Sequence, residues 1–165
     1  MKQTNSEMND LDRIQLQTPI GTLVIAARNG VVLEIEHAGA GAETLPLASE
    51  KEPVLNQAAA ELKAYFAGQT RTFCFAMRSE GTAFQQNVWK ALLRIPYGET
   101  RTYGEIASAI GNPKASRAVG MACNRNPLMI AVPCHRVIGA DGTLTGYALG
   151  TELKRILLDL EQNQK

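Results

Sequence analysis

Cysteine and histidine are scarce in this chain. Among 165 residues there are three Cys (Cys74, Cys123, Cys134) and two His (His37, His135), with no Cys-x-x-Cys anywhere. An odd, sparse set of thiols is no disulfide framework, and the ligand pairs of a structural zinc site are missing, so no metal is expected. Long apolar runs are missing too: no stretch approaches the roughly 18 consecutive apolar residues of a membrane-spanning helix. The opening residues Met1-Lys2-Gln3-Thr4-Asn5-Ser6-Glu7 are polar and lack the apolar centre of a secretory signal, so a cytoplasmic protein is expected. What is present is a 45% hydrophobic chain, enough for one ordinary core or two small ones.

The near-neutral total charge hides an asymmetry. Met1 to Gly81 holds 7 Lys and Arg against 10 Asp and Glu, whereas Thr82 to Lys165 holds 10 against 6. Between Lys90 and Arg136 the cations Lys90, Arg94, Arg101, Lys114, Arg117, Arg125 and Arg136 face only Glu99 and Glu105. Such a segment suits an anionic partner on one face, and it equally suits a solvated surface.

Residues 1–81 read as a small antiparallel sheet with a helix. Ile14 and Leu16 alternate with polar neighbours, Thr18-Pro19-Ile20-Gly21 is a turn, and Thr22 to Ala27 is a more buried strand. Asn29-Gly30 predicts a tight hairpin into the alternating Leu33 and Ile35. Leu55, Ala59, Leu62 and Phe66 recur at helical spacing, with Gly68 as a stop. Phe73, Phe75 and Met77 alternate with Thr72, Cys74 and Ala76, which predicts one more strand with Cys74 on a sheet face. Nothing in this half looks catalytic, and His37 reads as a surface or loop residue.

Residues 82–165 are mainly helical. Thr82-Ala83-Phe84-Gln85 and Thr102-Tyr103-Gly104-Glu105 are both capping boxes, in which hydroxyl and carboxamide or carboxylate satisfy free backbone N–H groups. The first helix presents Phe84, Val88 and Leu92, with Trp89 beside them; the second buries Ile106 and Ile110 and stops at Gly111. Asn112-Pro113 then predicts the N-cap and first residue of a third helix. Two short helices joined through a Gly match a helix-turn-helix, although many helical hairpins never meet DNA. The third helix carries Lys114, Arg117 and Arg125 among Ala115, Ser116, Ala118, Gly120 and Ala122, small residues that permit close approach to either a nucleic acid or another helix. Near the C-terminus, Leu153, Ile156, Leu157 and Leu160 form an expected core face. Glu161 stands at the disfavoured end of that helix's dipole, which suits a specific partner, although helix-end glutamates are also often merely solvated.

Between two short apolar runs lies Pro133-Cys134-His135-Arg136. A thiol flanked by apolar residues is often a small inert hydrophobe, but cationic and imidazole neighbours can ionise it and make it a nucleophile. Adjacent residues of an extended segment point to opposite faces, so His135 reaches Cys134 only through a bridging water or a bend at Pro133.

These motifs resemble one family. Ile95-Pro96-Tyr97-Gly98, Thr102-Tyr103-Gly104, Arg117-Ala118-Val119-Gly120, Asn126-Pro127, Pro133-Cys134-His135-Arg136-Val137-Ile138-Gly139 and Gly146-Tyr147 stand in the order and spacing of the O6-alkylguanine-DNA alkyltransferases. The likeness runs from about Thr82 to Glu161, with Thr18-Pro19-Ile20-Gly21 and the strand pattern before it. It implies an α+β fold: a small, ribonuclease-H-like antiparallel sheet with a helix, then a mostly helical domain with a helix-turn-helix for DNA binding and alkyl transfer.

The resemblance further implies direct-reversal DNA repair. A monomer, able to cooperate with others on DNA, would bind duplex DNA through the minor groove and flip out an O6-alkylguanine, or by the same route an O4-alkylthymine. The alkyl group would pass irreversibly to Cys134, with no cofactor. His135 would be the base, acting through water, and Glu161 would orient it; Asn126 would tie the turn; Tyr103 would hydrogen-bond the flipped guanine and help it leave. Arg117 would fill the vacated place in the stack, while Lys114, Ala115, Ser116 and Tyr147 would contact DNA or base. Backbone groups of Cys134, Val137 and Ala148 would read the guanine edge.

One departure stands out. Leu149 occupies a position where the family shows glycine, which predicts a narrowed pocket that accepts methyl more readily than bulky alkyl groups. Three other classes compete with this reading: a lesion sensor without transfer, against which the presence of Cys134 speaks; a helix-turn-helix regulator, whose relatives carry an additional metal-binding cysteine domain; and a Cys hydrolase, which would turn over.

Overall fold

The computed structural model describes residues 10–147 and 149–165. The chain divides into two compact units, one ending at Arg78 and the other spanning Ser79–Lys165.

In the first unit, strands β1 (Asp12–Thr18), β2 (Gly21–Arg28) and β3 (Val31–His37) form an antiparallel meander in that order. The period-two alternation fixes the register: Ile14 lies opposite Ile25 and Leu16 opposite Leu23, and all four are buried. Asn29 and Gly30 both take positive φ (52° and 76°), the two-residue turn whose twist matches the strands it joins. At the other end, Gly21 (φ 106°) leaves room for His37, whose Nε2 lies 2.7 Å from the Ile20 carbonyl; a Cβ there would meet that nitrogen at 2.7 Å. His37 thus fastens the β1–β2 turn to β3 and is half-buried.

Helix α1 (Pro53–Phe66) covers the sheet with Leu55, Ala58, Ala59, Leu62 and Tyr65. Gly68, at φ 73°, and Gln69 donate back to Tyr65 and Ala64, so the expected glycine stop is a Schellman motif. The strand expected at Phe73–Met77 does not form. The alternation is real, since Phe75 is buried and Cys74 exposed, but Glu61 Oε2 takes the Cys74 and Phe75 N–H groups that a ladder would need. Only Met77 bridges to Val32, and Cys74 lies on no sheet.

The second unit begins with α2 (Ala83–Leu92) and α3 (Tyr103–Ala109), and both capping boxes are complete. Val88, Trp89 and Leu92 are buried, with Trp89 Nε1 donating to the Ala122 carbonyl at 2.9 Å. Ile106 is buried, whereas Ile110 is only half-buried. Helix α4 (Ser116–Asn124) starts three residues later than the Asn112-Pro113 signal predicts. Asn112-Pro113-Lys114-Ala115 instead forms a turn closed by the Ala115 N–H on the Asn112 carbonyl at 3.0 Å. Asn followed by Pro serves positions i and i+1 of a β-turn as well as a helix start, so the local signal was ambiguous.

A two-residue parallel pair, β4 (Arg101–Thr102) and β5 (Val137–Ile138), matters more than its size suggests. β4 runs directly into Tyr103 of α3, and β5 directly follows a 3₁₀ turn over Cys134–Arg136. Pairing them brings the start of α3 to the Cys134 segment. Helix α5 (Thr151–Asn163) closes the unit. Its buried face is Lys154, Leu157, Leu158 and Glu161; of the stripe predicted, Leu157 is buried, Leu153 and Leu160 are half-buried and Ile156 is exposed.

Candidate active site

The approach to Cys134 is a tightly folded loop. The Ala131 N–H donates to Met129 across Ile130, a β-branched residue at φ 71°, and the Cys134 N–H donates to Val132 across Pro133 at φ −83°, ψ 63°. These are two γ-turns, the first of the rare, positive-φ kind, which costs of order 1–3 kcal/mol and persists where its surroundings enforce it. The enforcing group is Asn126: its amide donates to the Val132 carbonyl at 2.8 Å and to Cys134 Sγ at 3.2 Å, while its carbonyl accepts from Leu128 N–H at 3.0 Å. The bend at Pro133 foreseen from sequence is therefore present, and the segment is not extended.

Cys134 is buried, and burial pushes its thiol up. The Asn126 amide, the Lys154 charge and the backbone N–H groups of Cys134 and His135 oppose this by favouring thiolate.

His135, Arg136 and Glu161 form a buried triad. His135 Nε2 lies 2.7 Å from Glu161 Oε1, Arg136 grips both carboxylate oxygens through Nε and Nη2 at 2.8–3.2 Å, and Gly98 N–H donates to Oε2 at 3.2 Å. Arg136 also donates to the Ile95 carbonyl at 2.8 Å and sits 5.7 Å from the Tyr97 ring centroid. Burial works against an ionised Glu161, yet the bonds from His135 and Arg136 hold its carboxyl well below the usual range. Burial likewise lowers His135, so the imidazole is neutral at pH 7, and the short contact to Glu161 is a hydrogen bond and not an ion pair.

The tautomer follows from this. An ionised carboxylate only accepts, so the His135 proton resides on Nε2 and Nδ1 keeps a bare lone pair. That Nδ1 is buried and has no hydrogen-bond partner among the described residues. A neutral imidazole with a free acceptor nitrogen and an anion behind it is built to take a proton.

Tyr103 donates to the Thr145 carbonyl at 2.6 Å, and burial, followed by the nearby Cys123 and Cys134, pushes it up to about 12. Gly146 (φ 74°) is needed here, because a Cβ would meet the Tyr103 oxygen at 2.7 Å. Tyr147 carries a buried hydroxyl without a hydrogen-bond partner among the described residues, and Val137 is buried in the β4–β5 pair. Arg117 and Lys114 are exposed on α4 and its leading turn, with Ala115 and Ser116 half-buried beside them. Ala148 lies outside the described residues. Leu149, expected to crowd a pocket, is 40% exposed and so is not enclosed in the protein interior.

Two residues escaped the sequence reading. Arg136 was counted with the DNA-facing cations but is spent on Glu161. Lys154 is fully buried on α5, its Nζ 3.0 Å from the Thr145 carbonyl and 3.4 Å from the Tyr103 hydroxyl. Its signal was available: Lys154 and Glu161 are seven residues apart, two turns on one helical face. Among the described residues no group of three or more His, Cys, Asp or Glu is placed to hold a metal.

Comparison with known proteins agrees with this geometry. The family model described as 6-O-methylguanine DNA methyltransferase, DNA binding domain, matches residues 83–163. A methylated-DNA–protein-cysteine methyltransferase of Methanosarcina barkeri is 47% identical over 151 residues, covering 90% of this chain and 95% of the relative. One of Mycobacterium tuberculosis is 48% identical over 150 residues, covering 90% and 91%. Among solved structures, M. tuberculosis O6-methylguanine methyltransferase matches with a TM-score of 0.84 at 45% identity over 94% of each chain. M. tuberculosis OGT in complex with DNA matches at 0.83 and 46% identity, over 93% of this chain and 94% of that one. The chain belongs to the methylated-DNA–protein-cysteine methyltransferase family.

Proposed function

We propose that this protein repairs DNA by direct reversal, moving an alkyl group from O6-alkylguanine in duplex DNA, and from O4-alkylthymine by the same chemistry, to Cys134. The observation that carries the reading is the bare Nδ1 of a neutral, Glu161-anchored His135 next in sequence to a buried cysteine held by Asn126. A water between His135 and Cys134 passes the thiol proton to Nδ1. The thiolate attacks the alkyl carbon, the C–O bond breaks, and a thioether remains. A thioether has no ready leaving group, so each molecule acts once.

The DNA partner follows from α3 and α4 read as a helix-turn-helix. Exposed Arg117 and Lys114 supply charge, and Ala115 and Ser116 allow close approach to the minor groove. A buried nucleophile requires the base to leave the stack, at a cost of a few kcal/mol, and Arg117 is suited to fill the gap. Tyr103, Tyr147 and the backbone of Cys134, Val137 and Ala148 receive the base. In this reading Ser79–Lys165 is the DNA-binding and transfer domain, and the first unit is structural. Among the described residues no helix is long and apolar enough to cross a membrane, and we place the activity in the cytoplasm.

The test is intact-mass analysis after incubation with O6-methylguanine duplex, followed by peptide mapping. One methyl per molecule on Cys134 is expected, with Cys134→Ala inert yet still bound to DNA. An adduct on Cys74 or Cys123, or multiple turnovers, would refute the assignment.

A further inference from the structure

One basic cleft has no part in the transfer chemistry. Asn87, Lys90 and Arg94 follow one another at spacings of three and four along α2 and its end, on the side turned away from the buried Val88, Trp89 and Leu92. With Ala91, and with Ala109 and Ile110 at the end of α3, they line an open cleft of about 270 Å³ that has no acidic side chain in its wall. Lys90 and Arg94 are exposed, and among the described residues neither they nor the Asn87 amide form an ion pair or a side-chain hydrogen bond. Cations often gather at helix ends because the last carbonyls lack partners. Here the backbone has already used those carbonyls. At the end of α2, Trp89, Ala91 and Leu92 accept from Leu93, Arg94 and Ile95; at the end of α3, Ile106, Ala107 and Ser108 accept from Ile110, Asn112 and Gly111. Like charges four residues apart on a helix also repel. The cleft brings the fold no contact, which points to a ligand from outside the chain.

We propose that this cleft is a phosphate clamp for the DNA backbone flanking the lesion, an inference that rests on the reading of α3 and α4 as a DNA-binding helix-turn-helix. In that motif the first helix crosses the sugar-phosphate backbone while the second lies in the groove. Ile110, in the wall of the cleft, leads directly into the turn at residues 111–115, which carries the exposed Lys114. A duplex seated on α4 runs its backbone past that turn and onto the cleft. There Arg94 can grip two phosphate oxygens, Lys90 acts as a point charge, and Asn87 adds a neutral donor. Ala91 and Ala109 are small enough to let the backbone come close. Ile110 was expected in the core; half-buried at this wall, it offers apolar surface to the deoxyribose carbons. Contacts of this kind position a duplex without reading its sequence, which suits a protein that meets its lesion in any sequence.

The experiment measures binding of the full chain to an O6-methylguanine duplex with room for one protein, across a range of salt concentrations. A Lys90→Gln, Arg94→Gln double variant is expected to bind about 10-fold more weakly at low salt, the worth of two exposed charge-assisted contacts. Its plot of log K against log salt should flatten by about 1.8, or about 0.9 for each phosphate released, and each single variant by half of that. A second arm replaces single phosphates on either side of the lesion with uncharged methylphosphonate. Positions in the clamp should weaken binding by the unaltered protein several-fold and leave the double variant indifferent, while positions served by Lys114 should still affect both. An unchanged salt slope, or the same phosphate profile for both proteins, would overturn the proposal. So would a lowered urea midpoint with an unchanged slope, which makes the two cations supports of a helix end. Weaker binding seen only on duplexes that hold several molecules would overturn it as well, by giving the cleft to an acidic face of a neighbouring copy. Failure of the underlying reading looks different, since Lys114→Gln and Arg117→Ala would then also leave duplex binding unchanged; if the clamp alone is wrong, those two still weaken it.

Discussion

The two units treat burial differently. Among the described residues the first keeps every charged side chain at least partly in solvent, and its interior is filled with Ile14, Leu23, Ile25, Ile35, Leu55, Leu62 and Tyr65. The second contains all four of the buried polar or charged residues found among those described, His135, Arg136, Lys154 and Glu161. Hydrophobic side chains in the first unit each contribute about 1.5–3 kcal/mol by leaving water, with no directional demand. The buried charges of the second gain little net stability and demand strict geometry. Stability and chemistry are thus drawn from different kinds of interior, and substitutions should separate them.

The largest effect is expected at the triad. Glu161→Gln leaves Arg136 buried without its anion and should destabilise the second unit by about 3–5 kcal/mol, read by urea unfolding. Transfer should fall with it even in the folded fraction. The pH response has a defined sign, since His135 and Glu161 both have folded values below their unfolded ones. Their contribution is complete above an ordinary histidine value of about 6.5 and is lost as pH falls, first through His135 and then below the carboxylate range of about 4.3. Glu161→Gln should flatten the acid limb of that curve. An unchanged limb would mean that the triad does not behave as a charged interior.

Leu62→Ala in the first unit should also cost about 2–5 kcal/mol, by opening a cavity under the sheet. Here the rate of transfer per folded molecule should not move; a fall would show that the units do not divide the labour as described. Smaller still is Arg117→Ala, expected to weaken repair of duplex DNA by about 10- to 100-fold, the weight of a few kcal/mol spent on extrusion. Transfer from the free alkylated base should be untouched, and equal loss on both substrates would point to a damaged pocket. The smallest effect is expected at Leu149. Because Leu149 is exposed at the surface, Leu149→Gly should shift stability by no more than about 0.5 kcal/mol and leave the ratio of benzyl to methyl transfer unchanged. A raised benzyl rate would restore the crowded pocket that the sequence suggested.

What the sequence disclosed depended on how local the cause was. The Asn29-Gly30 hairpin, the Gly68 stop and both capping boxes are decided by a few adjacent residues, and all form as read. The strand at Phe73–Met77 was lost to a carboxylate, Glu61, on another element, which no period-two count can foresee. Helix α5 shows the same limit. Its leucines drew the expected face one position away from the true one, because the stripe that is buried carries Lys154 and Glu161, and charges read as solvent-facing until their partners are known. Glu161 was suspected through its place at a helix end. Its grip on Arg136 was not, since a cation in a basic segment reads as surface.

The triad also bears on the order in which the molecule becomes competent. Glu161 meets His135 across 26 residues and Gly98 across 63, while Arg136 reaches Ile95 across 41. Closing such loops carries an entropy cost that grows with length, by about 0.6 kcal/mol per doubling, and contacts of this kind form late in folding. The γ-turns and the Asn126 bonds around Cys134 are local by contrast, spanning two to eight residues. A half-folded chain can therefore hold its thiol in the right bend while His135 still lacks its anion. Reactivity toward DNA is therefore a property of the finished fold.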